Sequence, residues 1–303
     1  MQSAPIHSLF VRQLFSNADR IEGSQFLRRE IANRMREKLE LVNLQANDVL
    51  DAGCAEGADL HFLKTHYPMA NIIGVDASEV LLKKNKRLHF DAQSTFSKIL
   101  QKWTPKALQT EDNFSLINGD FSNLSIKLSV IDVIWANLSL HWHSQPDKVF
   151  AEWHRVLREN GLVIFSCFGP DTFIELRQAF EGVDQDAHFV PFVDMHDYGD
   201  MLVKAGYATP VMDMEKITLE YVDPVKLLSD VRALGGNPLQ TRRNGLLGKD
   251  AYRKILANLE AQRNARGVIS LSFEIIYGHA FKPVQSKLAK GESVIRLDFP
   301  KKN

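Results

Sequence analysis

The chain of 303 residues is long enough for one α/β domain of roughly 200 residues with a smaller unit beside it. Lys+Arg and Asp+Glu both total 37, so no whole-molecule field draws in nucleic acid or an anionic membrane, and neither is expected as a partner. Apolar runs fall short of the ~18 residues of a membrane span, the N terminus shows no basic and apolar leader, and Cys54 and Cys167 read as small buried thiols, so a cytoplasmic protein is expected.

Residues 1–47 read as an N-terminal helical segment. Leu27, Ile31, Met35 and Leu39 recur every fourth residue between Gln25 and Leu41, the apolar stripe of an amphipathic helix. Val49-Leu50-Asp51 and Ile72-Ile73-Gly74-Val75-Asp76 are short apolar runs of the kind found in buried parallel strands, and each ends on an acid. Between them lie a turn of small residues from Gly53 to Gly57 and a helix running to about Leu63. Ser78 is the expected N-cap of a helix from Val80 to Leu88, and residues 91–113, lacking any period, predict an extended excursion. Phe114 to Ile117 is the next strand, followed by Gly119-Asp120-Phe121.

A fourth strand, Val130 to Ala136, leads into Asn137-Leu138-Ser139-Leu140-His141-Trp142. A helix from Gln145 to Leu157 should then be stopped by Asn160-Gly161 in the left-handed turn, before a fifth strand from Leu162 to Phe168. Alternation of this kind implies right-handed crossovers and a parallel sheet covered on both faces, with ligands at the carboxyl ends of the strands. Asp51, Asp76, Asp120, Asn137 and Gly169 all fall at that edge.

Beyond Gly169 the alternation breaks. Helices are expected over Asp171–Phe180 and Tyr198–Lys204, with Gly206 ending the second, and strands over Val211–Tyr221 and Leu271–Phe281. Residues 48–221 and 268–283 thus form the core, and 222–267 a helical insertion, of a length that usually serves a site as a lid. Arg232, Arg242 and Arg243 lie in this insertion among glycines and asparagines, and arginine forks suit phosphate or carboxylate recognition. A solvated turn is the plain alternative.

The strand ends carry the chemistry. Glycines and alanine at Gly53, Ala55 and Gly57 let backbone N–H groups approach a ligand, and Asp76, with Ala77 beside it, can accept both hydroxyls of a ribose. Asp51 before the turn would repel a pyrophosphate and suits a cationic ligand. Asp120 can accept an adenine amino group, and Phe121 can cover the ring. The spacing resembles motif I of class I S-adenosylmethionine-dependent methyltransferases. Ala55 stands where that motif usually has glycine, which predicts an ordinary φ there and a slightly tighter turn.

A narrower resemblance rests on Leu227 to Gly245, Phe168-Gly169-Pro170-Asp171-Thr172-Phe173-Ile174-Glu175-Leu176-Arg177 and Phe273 to Ala280. These segments are similar to the malonyl-acyl-carrier-protein O-methyltransferases of biotin synthesis, the BioC family, over most of the chain from about Phe15 to Pro283. The resemblance implies a Rossmann-like fold with a mostly parallel seven-stranded sheet, helices on both faces and a helical lid. It implies methyl transfer from S-adenosylmethionine to the free carboxylate of a malonyl thioester on acyl carrier protein. Its cofactor site would comprise Asp51, Gly53, Ala55, Gly57, Asp76, Ala77, Asp120, Phe121 and Asn137. Arg232, Arg242 and Arg243 would bind the phosphate of the phosphopantetheine arm or acidic groups of the carrier. On chemical grounds His141 is the candidate for orienting the acceptor carboxylate by a hydrogen bond, with Trp142 as a wall, a packed histidine at the loop entrance being the alternative.

The chain departs from the family in two places. The usual N-terminal tyrosine is missing, Arg20 and Ile21 standing near its position, and His141-Trp142 replaces a common glutamine-tryptophan pair. No metal is expected. The mitochondrial arginine hydroxylases that assist respiratory complex I assembly resemble the same segments and would need an oxidant; His141, His143 and Asp147 could then be imagined as ligands. A non-catalytic assembly protein retaining the adenosyl pocket is the third reading.

Overall fold

The computed structural model describes residues 5–17, 21–84, 114–243, 245 and 247–284. The expected excursion at 91–113, the end of the helix expected to Leu88, Arg20 and Asn244 lie outside the described residues. In chain order the elements are α1 (Ser8–Phe15), α2 (Gln25–Glu40), β1 (Asp48–Ala52), α3 (Leu60–His66), β2 (Asn71–Asp76), β3 (Phe114–Asn118) and β4 (Ile131–Asn137). They continue with a 3-10 turn (Leu140–Trp142), α4 (Pro146–Val156), β5 (Leu157–Phe168), α5 (Ile174–Phe180), α6 (Met195–Lys204), β6 (Ala208–Tyr221), α7 (Pro224–Ala233), α8 (Lys249–Ala261) and β7 (Ile269–Phe281).

The seven strands form one sheet in the order β3-β2-β1-β4-β5-β7-β6. The first five run parallel, and β7 inserts antiparallel between β5 and β6. Side chains alternate across the central strands, as the pleat requires. Val49, Val133, Trp135, Leu162 and Ile164 join the stripe Leu27, Ile31, Met35 and Leu39 of α2 in one core, while Leu50, Ile134, Ala136, Val163 and Phe165 enter the other with α4 and α6. Each fully buried Val, Leu or Ile contributes roughly 1.5–3 kcal/mol. That is why a helix with a strongly charged outer face holds its place on the sheet.

The two ends of the central strands differ electrostatically. At the amino end Arg158 bridges Asp132 (2.6 Å) and Asp48 (2.9 Å), and Asp132 also accepts the backbone N–H groups of Asn47 and Asp48. Charge there is neutralised within the fold. At the carboxyl end Asp51, Asp76 and Asn137 face the crevice between connections, where a parallel sheet leaves room for a ligand.

Two local expectations are corrected. The helix expected over Gln145 to Leu157 forms as Pro146–Val156, but Asn160-Gly161 does not stop it, since Leu157 is already extended and paired with Ile131. Asn160 does take a left-handed φ of 63°, but inside β5, where the register with β4 jumps and Asn160 N–H donates to Lys282 O at 2.8 Å. The demand of the sheet edge overrides the helix-stop signal. The next helix starts at Ile174, three residues later than expected, because Asp171 N–H donates to the Glu274 carboxylate and Thr172 bonds the Glu274 backbone. Gly206 closes α6 at φ 93°, as expected of a left-handed cap. Among the described residues no helix is long and apolar enough to cross a membrane.

Candidate functional site

The loop after β1 folds back over the end of β2. Gly53 N–H and Cys54 N–H both donate to Val75 O, at 2.8 and 3.1 Å, and Gly57 N–H donates to Cys54 O at 2.6 Å. Asp76 ties the two strand ends together: Ala55 N–H donates to its Oδ2 at 2.9 Å and Ser78 N–H to its Oδ1 at 2.7 Å. Gly53, Ala55 and Gly57 have φ of 85°, 48° and 76°. Ala55 therefore lacks the ordinary φ expected of an alanine. The bond to Asp76 holds it in a conformation that costs about 1–2 kcal/mol for an L-residue. Gly53 has no substitute, since a Cβ there would overlap that of Ser139, whose Oγ donates to Ala52 O at 2.7 Å.

Acidic groups gather at this point. Asp51 is buried, and desolvation, then the charges of Asp59 and Asp76, push its carboxyl well above the usual range. Burial also raises Asp76, opposed by the two N–H groups it accepts. Asp59 receives Trp135 Nε1 (3.1 Å), Asn137 Nδ2 (3.2 Å) and Arg36 Nη2 (2.8 Å). A cation entering such a crevice is attracted by carboxylates that burial and mutual repulsion otherwise disfavour.

The remaining candidates are placed less uniformly. Ala77 lies half-buried in the bend that Asp76 makes with Ser78. Asn137 stands at the edge, but its amide is used internally, donating to Asp59 and to Arg28 O and accepting from Ser166 Oγ. Asp120 is exposed, with Oδ1 taken by Ser122 N–H and Oγ, while Phe121 packs between His143 and Trp153 and flanks Gly53.

His141, on the 3-10 turn, is buried against Phe168, Phe192 and Trp142. Its Nδ1 accepts from Phe168 N–H at 3.4 Å, which leaves the proton of the neutral ring on Nε2, and Nε2 is buried without a hydrogen-bond partner. Desolvation, and then the charge of Arg28, lower its pKa to about 3. The unfolded ring protonates near 6.5, so acid costs the fold stability progressively as pH falls from there toward about 3. His141→Gln should remove that slope: relative to the parent, the variant gains about 2 kcal/mol between pH 7.5 and pH 5. Urea midpoints that shift in parallel at the two pH values would rule this out.

Three distant segments meet at Trp142. Phe15 of α1 packs edge-on against the indole at 5.3 Å, with Phe15 O held by Ser78 Oγ at 3.0 Å. Gly235, after α7, has φ 135° and lies so close that a Cβ would be 2.6 Å from the ring. An aromatic of the N-terminal segment thus reaches the site although that segment has no tyrosine; Ile21 is buried in the fold instead. Phe15, Ser78, Ser139, Glu56 and Arg28 were not among the site residues expected from the sequence. Arg28 alone left a trace, sitting four residues before buried Ala32 on a helix face that is otherwise apolar.

Below Trp142 an apolar cavity of about 200 Å³ is walled by Phe168, Phe173, Leu228, Tyr252 and Arg232. A wider cavity of about 480 Å³ adjoins it, lined by His188, Asn237, Arg232, Arg242 and Arg243. The three arginines do converge there, yet not as bare charges. Arg242 stacks on Phe10 at 4.1 Å and donates to Asn237 O at 3.3 Å, and Arg243 lies 3.6 and 3.7 Å from Asp184 and Asp186. His141 and His143 face different neighbours, Phe168 and Phe121, and among the described residues no cluster of three or more His, Cys, Asp or Glu is arranged to hold a metal.

Residues 50–165 match a family described as a methyltransferase domain. A malonyl-[acyl-carrier protein] O-methyltransferase of Gallionella capsiferriformans is 39% identical over 291 residues, covering 95% of this chain and 96% of that protein. The protein of the same name from Nitrosospira multiformis is 37% identical over 279 residues, 90% of this chain and 88% of its own. Among solved structures, the YcgJ protein of Bacillus subtilis superposes with a TM-score of 0.55 at 17% identity, covering 84% of this chain and 100% of that one. That likeness speaks to the fold, a seven-stranded sheet with helices on both faces.

Proposed function

The chain belongs to the malonyl-[acyl-carrier protein] O-methyltransferase family, and from this we propose that it esterifies the free carboxylate of a malonyl group on acyl carrier protein, with S-adenosylmethionine as donor. The methyl ester masks a charge so that the malonyl unit can be elongated toward the pimeloyl chain of biotin. The observation that carries the reading is the acidic cluster of Asp51, Asp59 and Asp76 at the Gly53–Gly57 turn, joined to Trp142 through Ser78 and Phe15. The residues fit the donor: Asp76 keeps acceptor capacity for ribose hydroxyls beyond the two N–H groups it already binds, and Asp51 suits a cation.

When bound, the donor supplies an electrophilic methyl group on a sulfonium. The acceptor carboxylate, with an ordinary pKa near ~4, is already ionised and needs no general base. The protein's work is positioning. His141 Nε2–H orients the carboxylate through a neutral hydrogen bond, while Trp142 and Phe15 exclude water from the site. Helices α7 and α8, with the loop between them, act as the lid, and the apolar cavity beneath takes the thioester end of the arm. The reaction is assigned to the cytoplasm, in keeping with two buried free cysteines.

Incubation with methyl-labelled donor and malonyl-acyl carrier protein should yield a base-labile label on the carrier. No label, with the donor still bound, would sink the acceptor assignment. Arg232, Arg242 and Arg243 bind the phosphate of the arm at the wider cavity. Arg242→Ala is therefore expected to raise KM for the carrier-bound substrate about tenfold with donor affinity unchanged. Steady-state kinetics giving the parent KM would remove that role.

A further inference from the structure

The donor crevice holds one cation whose environment makes no sense without a ligand. Arg28, in the first turn of α2, has a side chain only 18% exposed, and its Nη2 is sealed from solvent with no hydrogen-bond partner. Its ion pair with Glu56 is loose, at 3.8 Å, and the Phe15 ring lies 6.0 Å from its guanidinium carbon. The contrast with Arg36 is instructive. About two helical turns further along, that guanidinium is spent on Asp59 at 2.8 Å and stacked over Phe62 at 4.5 Å. Burying a guanidinium fork without a matched acceptor is costly unless an anion completes it.

The charges around Arg28 say which anion. Its electrostatic neighbours are Glu56 on the turn after β1 and Asp76 at the end of β2, the two sides of the donor crevice. An aminoacyl group entering between Asp51, Asp59, Asp76 and Glu56 finds acids for its ammonium and sulfonium, but its own carboxylate would meet only repulsion unless a cation stood among them. The reacting carboxylate of the acceptor is the less suitable partner, since direct pairing with arginine would quench the nucleophile in its ground state. His141, a neutral donor, serves that group without removing its charge.

Resting on the donor reading above, we infer that Arg28 is the binding residue for the α-carboxylate of the donor's amino-acid end, its buried Nη2 donating to that carboxylate from the first turn of α2. The α1 helix then has a second function. Phe15, held by Ser78 and lying against both Trp142 and the Arg28 side, keeps this end of the crevice dry, which strengthens the charge pairing.

Calorimetric titration separates the possibilities. S-Adenosylhomocysteine and its decarboxylated analogue, which keeps the amine but lacks the carboxylate, are bound to the parent chain and to Arg28→Met. Arg28→Met should weaken S-adenosylhomocysteine roughly 10- to 100-fold and the decarboxylated analogue less than threefold, so that the parent's preference for the carboxylate disappears. Equal losses for both ligands, or none for either, overturn the inference. So does an unchanged affinity for S-adenosylhomocysteine with a raised KM for malonyl-acyl carrier protein, which would assign Arg28 to the acceptor. Should Arg28→Met fail to fold, Arg28→Lys supplies the same comparison, and it must retain part of the preference because its ammonium keeps the charge but loses the fork. If the parent chain binds neither ligand, the donor reading itself falls.

Discussion

Asp76→Ala is expected to lose at least about 100-fold in affinity for S-adenosylhomocysteine. The carboxylate has two duties. It accepts Ala55 N–H and Ser78 N–H, and so fixes the loop after β1 against the end of β2. Under the proposed donor binding, its remaining lone pairs accept the ribose hydroxyls. Removal loses the ligand's charge-assisted bonds, about 1.5–3 kcal/mol each, and also releases Ala55 from its positive φ. Burial already disfavours the ionised group in the free protein, but Ala55 N–H and Ser78 N–H lose their acceptor, so the fold should also melt lower, by an amount worth about 1–3 kcal/mol. Asp76→Asn should fall between the two, because one oxygen remains while the amide confronts an N–H that needs an acceptor. A titration of Asp76→Ala within threefold of the parent would refute the assignment.

Gly53→Ala should damage both binding and stability. At φ 85° an L-residue costs about 1–2 kcal/mol, and the added methyl group would overlap Ser139 Cβ and lie 3.0 Å from its Oγ. Ser139 cannot swing aside freely, since its hydroxyl donates to Ala52 O. Overpacking adds about 1–3 kcal/mol, for a total of about 2–5 kcal/mol, and donor affinity should drop more than tenfold as the turn shifts. The two costs can be separated. Gly53→Ala combined with Ser139→Gly removes the overlap but not the backbone strain, so it should recover part of the melting temperature and never all of it. Full recovery, or no loss in the single variant, would show that the turn tolerates a side chain.

The sequence by itself determined the strands and most of the edge at which a ligand would sit. Runs such as Ile72 to Val75 must be buried, and a run that ends on Asp76 puts a carboxylate where a parallel strand stops, whatever the rest of the chain does. The stripe of Leu27, Ile31, Met35 and Leu39 likewise needed no partner to be read, because burial on a helix has a period. Short-range rules failed where a distant group settled the backbone. Ala55 has its left-handed φ because Asp76, 21 residues on, takes its N–H, and Asp171 to Phe173 stay out of a helix because Glu274 holds them across 103 residues.

Tertiary structure alone decided what converges. Phe15, Trp142 and Gly235 are far apart in sequence, and nothing local in any of them announces the others. In sequence the three arginines of the insertion read as solvated charges or phosphate ligands equally well; the fold sets Phe10 against Arg242 and Asp184 and Asp186 near Arg243. Arg28 lies on the amphipathic helix, and only packing shows its Nη2 shut away from water beside Glu56 and Asp76 at the ends of two strands. Periodicity reports which side of an element is dry; which charges become neighbours in the dry crevice depends on chain closure, and that information is carried by no single segment.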